Sequence, residues 1–237
     1  MNLKGKKAIV TGGGRGLGKA VALILAKEGA NIGITGRNEE NLKNTVDELK
    51  SLGVNAYYSA FNMEIESEVQ QGIADLAKEL NGIDILINNA GIGNFGSIEE
   101  MSSETWKQII EINLFGVYYA AKAVYPFMKE NGAGDIVNVA STAGLKGGPN
   151  MSAYAASKAA VVSLSQSMMA EWRKENIRVI TLTPRTRALD MSIAGGLTDG
   201  NLETVLQPED FAEWVRDILK MNRRAMIASA SIFSTNP

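Results

Sequence analysis

The sequence predicts a single α/β domain, a Rossmann-like, doubly wound parallel sheet with helices on both faces. Short Val- and Ile-rich runs alternate with longer stretches of helical period, the pattern of repeated βαβ units. The runs are apolar almost throughout rather than alternating, as in strands covered on both sides. A glycine-rich turn separates the first run from the first helical stretch, where such sheets bind phosphates.

The predicted strands are Lys7–Thr11, Asn31–Thr35, Val54–Ser59, Ile83–Ile87, Asp135–Ala140 and Arg178–Leu182. Between them, Leu17–Glu28, Glu39–Ser51, Glu64–Leu80, Glu104–Lys129, Ser152–Glu175 and Pro208–Lys220 read as helices, several opened by acidic residues or Pro in the first turn. Gly132–Gly134 and Gly144–Pro149 read as loops, and the polar tail Ser229–Pro237 carries no pattern. The chain has 237 residues, 45% of them hydrophobic, and no repeat, low-complexity tract or Pro/Gly/Ser linker divides it. One domain is expected over residues 1–237.

Composition removes several chemistries. With no Cys and no His, disulfides, thiolate nucleophiles, imidazole bases and the usual zinc ligand sets are gone, and no metal site is expected. A Ser-His-Asp hydrolase is excluded with them, and the G-x-x-x-x-G-K-[ST] loop of phosphoryl transfer is missing. A net charge of −2 without a dense Lys/Arg run argues against nucleic acid as a partner. The polar start Met1–Lys7 runs straight into a strand, so neither a secretory segment nor a membrane span is expected, and cytoplasmic residence follows.

Four motifs carry the chemistry. Gly12, Gly16 and Gly18 form G-x-x-x-G-x-G in Thr11-Gly12-Gly13-Gly14-Arg15-Gly16-Leu17-Gly18, where glycine lets backbone N–H groups approach a pyrophosphate at a helix N-terminus. Gly36 and Arg37 end the second strand, where an NAD site usually carries a carboxylate for the ribose hydroxyls. Arg37 and Arg15 could instead hold a 2′-phosphate through charge-assisted bonds, which favours NADP(H). Asn88-Asn89-Ala90-Gly91 follows the fourth strand with small residues that admit a flat ring.

The fourth motif is Tyr154-x-x-x-Lys158, with Ser141 after the fifth strand and Asn113 inside a long helix. Residues four apart share a helix face, so an ammonium beside Tyr154 is expected to stabilise phenolate and lower its pKa from about 10. Ser141 could bond a substrate oxygen as charge develops on it. Taken singly, each motif has a plainer reading: a flexible turn, solvated arginines, an Asn-Gly turn, an ordinary helix face.

In this order and spacing, the set resembles the short-chain dehydrogenase/reductase family over nearly the whole chain, Gly5 to about Met226. It looks most like bacterial 3-oxoacyl-[acyl-carrier-protein] reductases of fatty acid biosynthesis and their homologues. The resemblance implies NADPH-dependent reduction of a ketone, a 3-oxoacyl thioester or related carbonyl, to a secondary alcohol. It makes Tyr154 the proton donor and gives Lys158 the nicotinamide ribose. Ser141 orients the carbonyl, and Asn113 positions a water that relays protons to Lys158. The cofactor set it implies is Gly12, Arg15, Gly16, Leu17, Gly18, Arg37, Asn62, Met63, Asn89, Ala90, Gly91, Tyr154, Lys158 and Pro184. A homotetramer is implied as well, often built through the helices Glu104–Lys129 and Ser152–Glu175, whose apolar stripes include Ile109, Ile112, Val161, Leu164 and Met168.

The chain departs from the family pattern at several points. Where carrier-protein reductases carry entrance arginines, it has Gly132 and Glu175, leaving Lys129, Arg173 and Lys174 as candidate substitutes for docking acyl carrier protein. Asn62 stands where Asp commonly contacts adenine. In Thr183–Met191, Arg185, Arg187 and Leu189 replace the Gly, Val and Thr of the nicotinamide-side segment, and Leu has no polar atom to replace the Thr contact. Variation in an exposed substrate lid, about residues 186–201, is the simpler account of these arginines. Specificity is expected in Gly93–Met101, Leu145–Met151 and Thr186–Asn201. The altered segment also motivates an alternative, a non-catalytic nucleotide-binding or scaffolding protein of the same fold.

Overall fold

The structure, a computed structural model, describes residues 2–185 and 205–235. Seven strands form one all-parallel sheet in the order β3-β2-β1-β4-β5-β6-β7. They are β1 (Lys7–Thr11), β2 (Asn31–Gly36), β3 (Ala56–Ala60), β4 (Ile85–Asn88), β5 (Gly134–Val139), β6 (Ile177–Pro184) and β7 (Ser229–Ile232). The helices are α1 (Gly16–Lys27), α2 (Glu39–Ser51), α3 (Glu66–Leu80), α4 (Ser103–Ile110), α5 (Gly116–Glu130), α6 (Ser152–Trp172) and α7 (Pro208–Lys220).

Period-two geometry divides the apolar strands between two cores. Ala8 and Val10 of β1, Ile85 and Ile87 of β4, and Ile180 and Leu182 of β6 pack with α1, α2 and α7. Ile9, Leu86, Ile136 and Val179 face the other way, onto α3, α5 and α6. The strand order reverses between β1 and β4, so the loops after these two strands open side by side at the carboxyl edge, the place where such sheets bind ligands.

Two local features differ from the sequence reading. The predicted helix Glu104–Lys129 runs from α4 into α5 through a wide π-type turn, Glu111–Phe115, that holds Asn113. Such turns insert one extra residue per hydrogen-bonded ring and turn a side chain off the regular face. The tail read as patternless contains β7, which pairs with β6 in the register Thr181↔Ser229 to Pro184↔Ile232. Its exposed and half-buried positions alternate, and Ser-Ala-Ser-Ile is too short and polar to announce an edge strand.

The amino edge is closed by a knot of buried charge. Arg178 Nε donates to Asp135 Oδ1 at 2.6 Å, and Arg223 Nη1 reaches both Asp135 oxygens at 2.9 Å. The remaining Arg178 N–H groups bond the carbonyls of Leu219, Met221 and Ala225, tying the end of α7 to the sheet.

Candidate active site

The glycine loop is shaped by what cannot fit in it. Gly12 (φ 67°) and Gly16 (φ 55°) lie in the left-handed region, and a Cβ at Gly18 would overlap the Gly12 carbonyl and the Asn89 amide. The loop after β4 braces this cradle: Asn89 Nδ2 donates to Thr11 O at 3.0 Å, while Thr11 Oγ1 accepts from the N–H groups of Asn89 and Ala90, both at 3.0 Å. The result is a helix N-terminus approachable by a pyrophosphate, so the residues present fit a dinucleotide.

One cavity of about 650 Å³ runs along this edge. The strand order β2-β1-β4-β5 separates Arg37, after β2, from Ser141, after β5, by three inter-strand steps, roughly 14 Å. Every predicted catalytic and cofactor residue lines the cavity except Gly18 and Asn113. Gly18 supports the cradle against Gly12 and Asn89, and Asn113 holds the loop after Gly91. Arg15 and Arg37 are both exposed at the wall. Asn62 also lines it, with its amide bonded to Glu64 Oε2 at 3.2 Å and its carbonyl accepting from Glu64 N–H at 3.3 Å.

Tyr154 and Lys158 share a face of α6, as their spacing requires, but the electrostatics differ from expectation. Burial pushes the Tyr154 pKa above its ordinary value, partly offset by the polar Ser141 hydroxyl nearby; Lys158 is not among the causes. Lys158 Nζ instead donates to Val139 O at 2.9 Å and stands 5.8 Å from the centre of the Tyr154 ring. Burial lowers the Lys158 pKa to about 8, which leaves it mainly cationic at pH 7. The pair therefore holds a protonated phenol beside a cation, rather than a phenolate stabilised by it.

Asn113 is fully buried, and its side chain is nearly saturated. Its Oδ1 accepts from Ile92 N–H at 2.8 Å, and its amide donates to Ile92 O at 2.9 Å and to Ser157 Oγ at 3.1 Å. Ser157 in turn donates to Tyr154 O at 2.7 Å, so Asn113 joins the loop after β4 to the helix turn bearing the tyrosine. A Cβ at Gly91 would come within 3.1 Å of Asn113 Oδ1 and 3.5 Å of Lys158 Nζ; glycine there keeps the space between the two groups open.

Phe95, Met151 and Phe61, which no sequence motif marks, also line the cavity, as does Ile112 from the apolar helix stripe. Phe95 and Met151 do fall in the segments expected to set specificity. Arg185 reaches the wall too, with its N–H held by Ile232 O at 3.0 Å. Arg187, Leu189 and the lid at about 186–201 lie outside the described residues. Lys129 is engaged, with Nζ 3.2 Å from Glu175 Oε1 and 3.3 Å from the Tyr125 hydroxyl. Arg173 follows the end of α6, 19 residues beyond Tyr154, roughly 28 Å at 1.5 Å per residue. Among the described residues, no His/Cys/Asp/Glu group could hold a metal, and no helix is long and apolar enough to cross a membrane.

The sheet order and the Tyr–Lys–Ser cluster at its carboxyl edge put the chain among the oxidoreductases built on Rossmann-like folds. It belongs to the short chain dehydrogenase family, which it matches over residues 6–194. The 3-oxoacyl-[acyl-carrier-protein] reductase of Chlamydia pneumoniae is 32% identical over 218 residues, 92% of this chain and 84% of that one. The gluconate 5-dehydrogenase of Gluconobacter oxydans (strain 621H) is 31% identical over 214 residues, 90% and 80% of the two chains. An alcohol dehydrogenase from the archaeon Thermococcus sibiricus, solved with 5-hydroxy-NADP, superposes with a TM-score of 0.90 at 26% identity, covering 98% of this chain and 97% of that one.

Proposed function

We propose that the chain is an NADP(H)-dependent reductase that converts a ketone, such as a 3-oxoacyl thioester or a related carbonyl compound, to a secondary alcohol. The observation that carries this reading is that Ser141, Tyr154 and Lys158 line the same cavity whose wall holds Arg15 and Arg37. The relatives support it in kind, two of them dehydrogenases and one a reductase, and the alcohol dehydrogenase structure contains an NADP derivative.

The glycine cradle would hold the pyrophosphate, with Leu17, Asn62, Met63 and Pro184 along the rest of the dinucleotide. Arg15 and Arg37 would take a 2′-phosphate, a contact NAD(H) cannot offer. A reduced nicotinamide bound there supplies the hydride. Ser141 and Tyr154 orient the carbonyl oxygen between two hydroxyls, and Tyr154 gives its proton to that oxygen as charge develops. Lys158, cationic near neutrality, stabilises the phenolate left behind. Asn113 keeps Ile92 and the Tyr154 turn in register, and one lone pair of its Oδ1 is left for a water on the way to Lys158.

Acyl carrier protein is retained as a candidate carrier of the thioester, and a homotetramer through α5 and α6 as the assembly. Lys129 already paired with Glu175 weighs against its serving as a docking cation. The test is a fluorescence titration with NADPH and NADH, then NADPH oxidation against β-ketoesters, diketones and 3-oxoacyl thioesters. Preferential NADPH binding with turnover that Tyr154→Phe abolishes is expected. NADPH binding without turnover of any carbonyl would favour a non-catalytic member of the fold.

A further inference from the structure

We propose that Phe95 sets substrate choice at this site, and that the ketone it admits carries an apolar alkyl or aryl substituent rather than hydroxyl-bearing carbons. This rests on the reductase reading above. The Phe95 ring meets Tyr154 edge-on, with centroids 5.8 Å apart and an interplanar angle of 60°, so whatever bonds the tyrosine hydroxyl arrives beside this ring. Phe95 is fixed by its neighbours. The Gly96 N–H donates to Asn150 O at 2.9 Å, a backbone clasp between the loop after β4 and the loop before α6. Asn150 makes its side of the clasp from the left-handed region (φ 60°), and Met151 follows it into the cavity wall.

These two loops supply Ile92, Phe95 and Met151 to the wall, none with a hydrogen-bond donor or a strong acceptor in its side chain. Ser141 and Tyr154 are occupied by the carbonyl oxygen during reduction. Among the described residues, Thr142 is then the one other hydroxyl-bearing side chain the wall offers, and Arg185 adds donors but no acceptor for a polyol's O–H groups. A polyol would leave water there without enough partners for its hydroxyls, whereas an alkyl or aryl group loses nothing and gains contact with Phe95 and Met151.

The test compares kcat/KM for two five-carbon 2-ketones, 2-pentanone and xylulose, in the full-length protein with NADPH. The wild type should prefer 2-pentanone by about 100-fold. Phe95→Ser should shrink that preference about tenfold, and Phe95→Leu should hold it within about threefold. Phe95→Tyr, which keeps the ring and adds one hydroxyl, should move the ratio toward xylulose and decides the matter if the Ser variant does not fold. Equal turnover of both ketones by the wild type, or a ratio unmoved in the Ser and Tyr variants, would overturn the inference while leaving the reductase reading intact. If the wild type oxidises NADPH with neither ketone, nor with any β-ketoester or thioester, above the Tyr154→Phe background, the reductase reading itself fails and this inference with it.

Discussion

The two edges of the sheet bury the same kinds of group and treat them oppositely. At the amino edge, Asp135 accepts from two arginines, and the remaining Arg178 N–H groups end on backbone carbonyls. At the carboxyl edge, Lys158 is as deeply buried as Asp135, yet among the described residues its one hydrogen bond goes to the neutral Val139 carbonyl and it forms no ion pair. A satisfied buried charge holds helices to strands; an under-satisfied one keeps a shifted pKa and is available for chemistry. Substitutions at the two edges should therefore separate activity from stability.

The largest effect is expected at the carboxyl edge. Tyr154→Phe removes only the proton-donating hydroxyl and should lower kcat by about 10²–10⁴-fold, with cofactor affinity retained. Steady-state kinetics beside a cofactor titration would measure both, and near-normal turnover would dismiss Tyr154 as the donor. At the amino edge, Asp135→Ala leaves the Arg178 guanidinium buried without its carboxylate and should cost about 3–5 kcal/mol of stability, read by denaturant unfolding. Turnover per folded molecule should barely change. A loss of activity larger than the loss of folded protein would show that the edges are coupled.

The edges also differ in how much of them can be read from sequence. The strands announce themselves because a parallel strand covered on both faces must be apolar along its middle, as Ile85–Ile87 and Val179–Ile180 are. The site is legible because dinucleotide chemistry demands residue types at fixed spacings within single segments, as in Gly12–Gly18 or Tyr154 to Lys158. The amino-edge knot joins residues 43 and 88 positions apart, and no local pattern marks Asp135 or Arg223 as partners. Phe95 against Tyr154 is hidden for the same reason, and sequence reports the lysine four residues on from Tyr154 but not the depth of burial that raises the tyrosine's pKa.

Lys158 puts a number on the contrast. Its folded pKa of about 8 lies below the unfolded 10.5, so the folded state binds fewer protons between those values, and stability from this group rises with pH through that window. Below pH 8 the buried charge costs up to about 3 kcal/mol, at 1.36 kcal/mol per pKa unit. Lys158→Met should thus be inactive yet more stable than the wild type at pH 7, by less than that figure because Val139 O loses its donor. The gap should close between pH 8 and 10.5. A variant less stable at pH 7 would mean that Lys158 is held there by more than its function.

The smallest effect concerns the exposed cations at the cavity wall. Arg37 is exposed, so the water around it screens its charge and limits what one contact contributes. Arg37→Ala should weaken NADPH binding by about tenfold, the scale of one charge-assisted contact of roughly 1.4 kcal/mol, and leave NADH binding nearly unchanged. Fluorescence titration with both nucleotides reads the difference directly, and raising the ionic strength should narrow it as the 2′-phosphate is screened. Equal losses for the two cofactors would assign Arg37 to the shape of the loop rather than to the phosphate. The cofactor preference would then have to come from Arg15 alone.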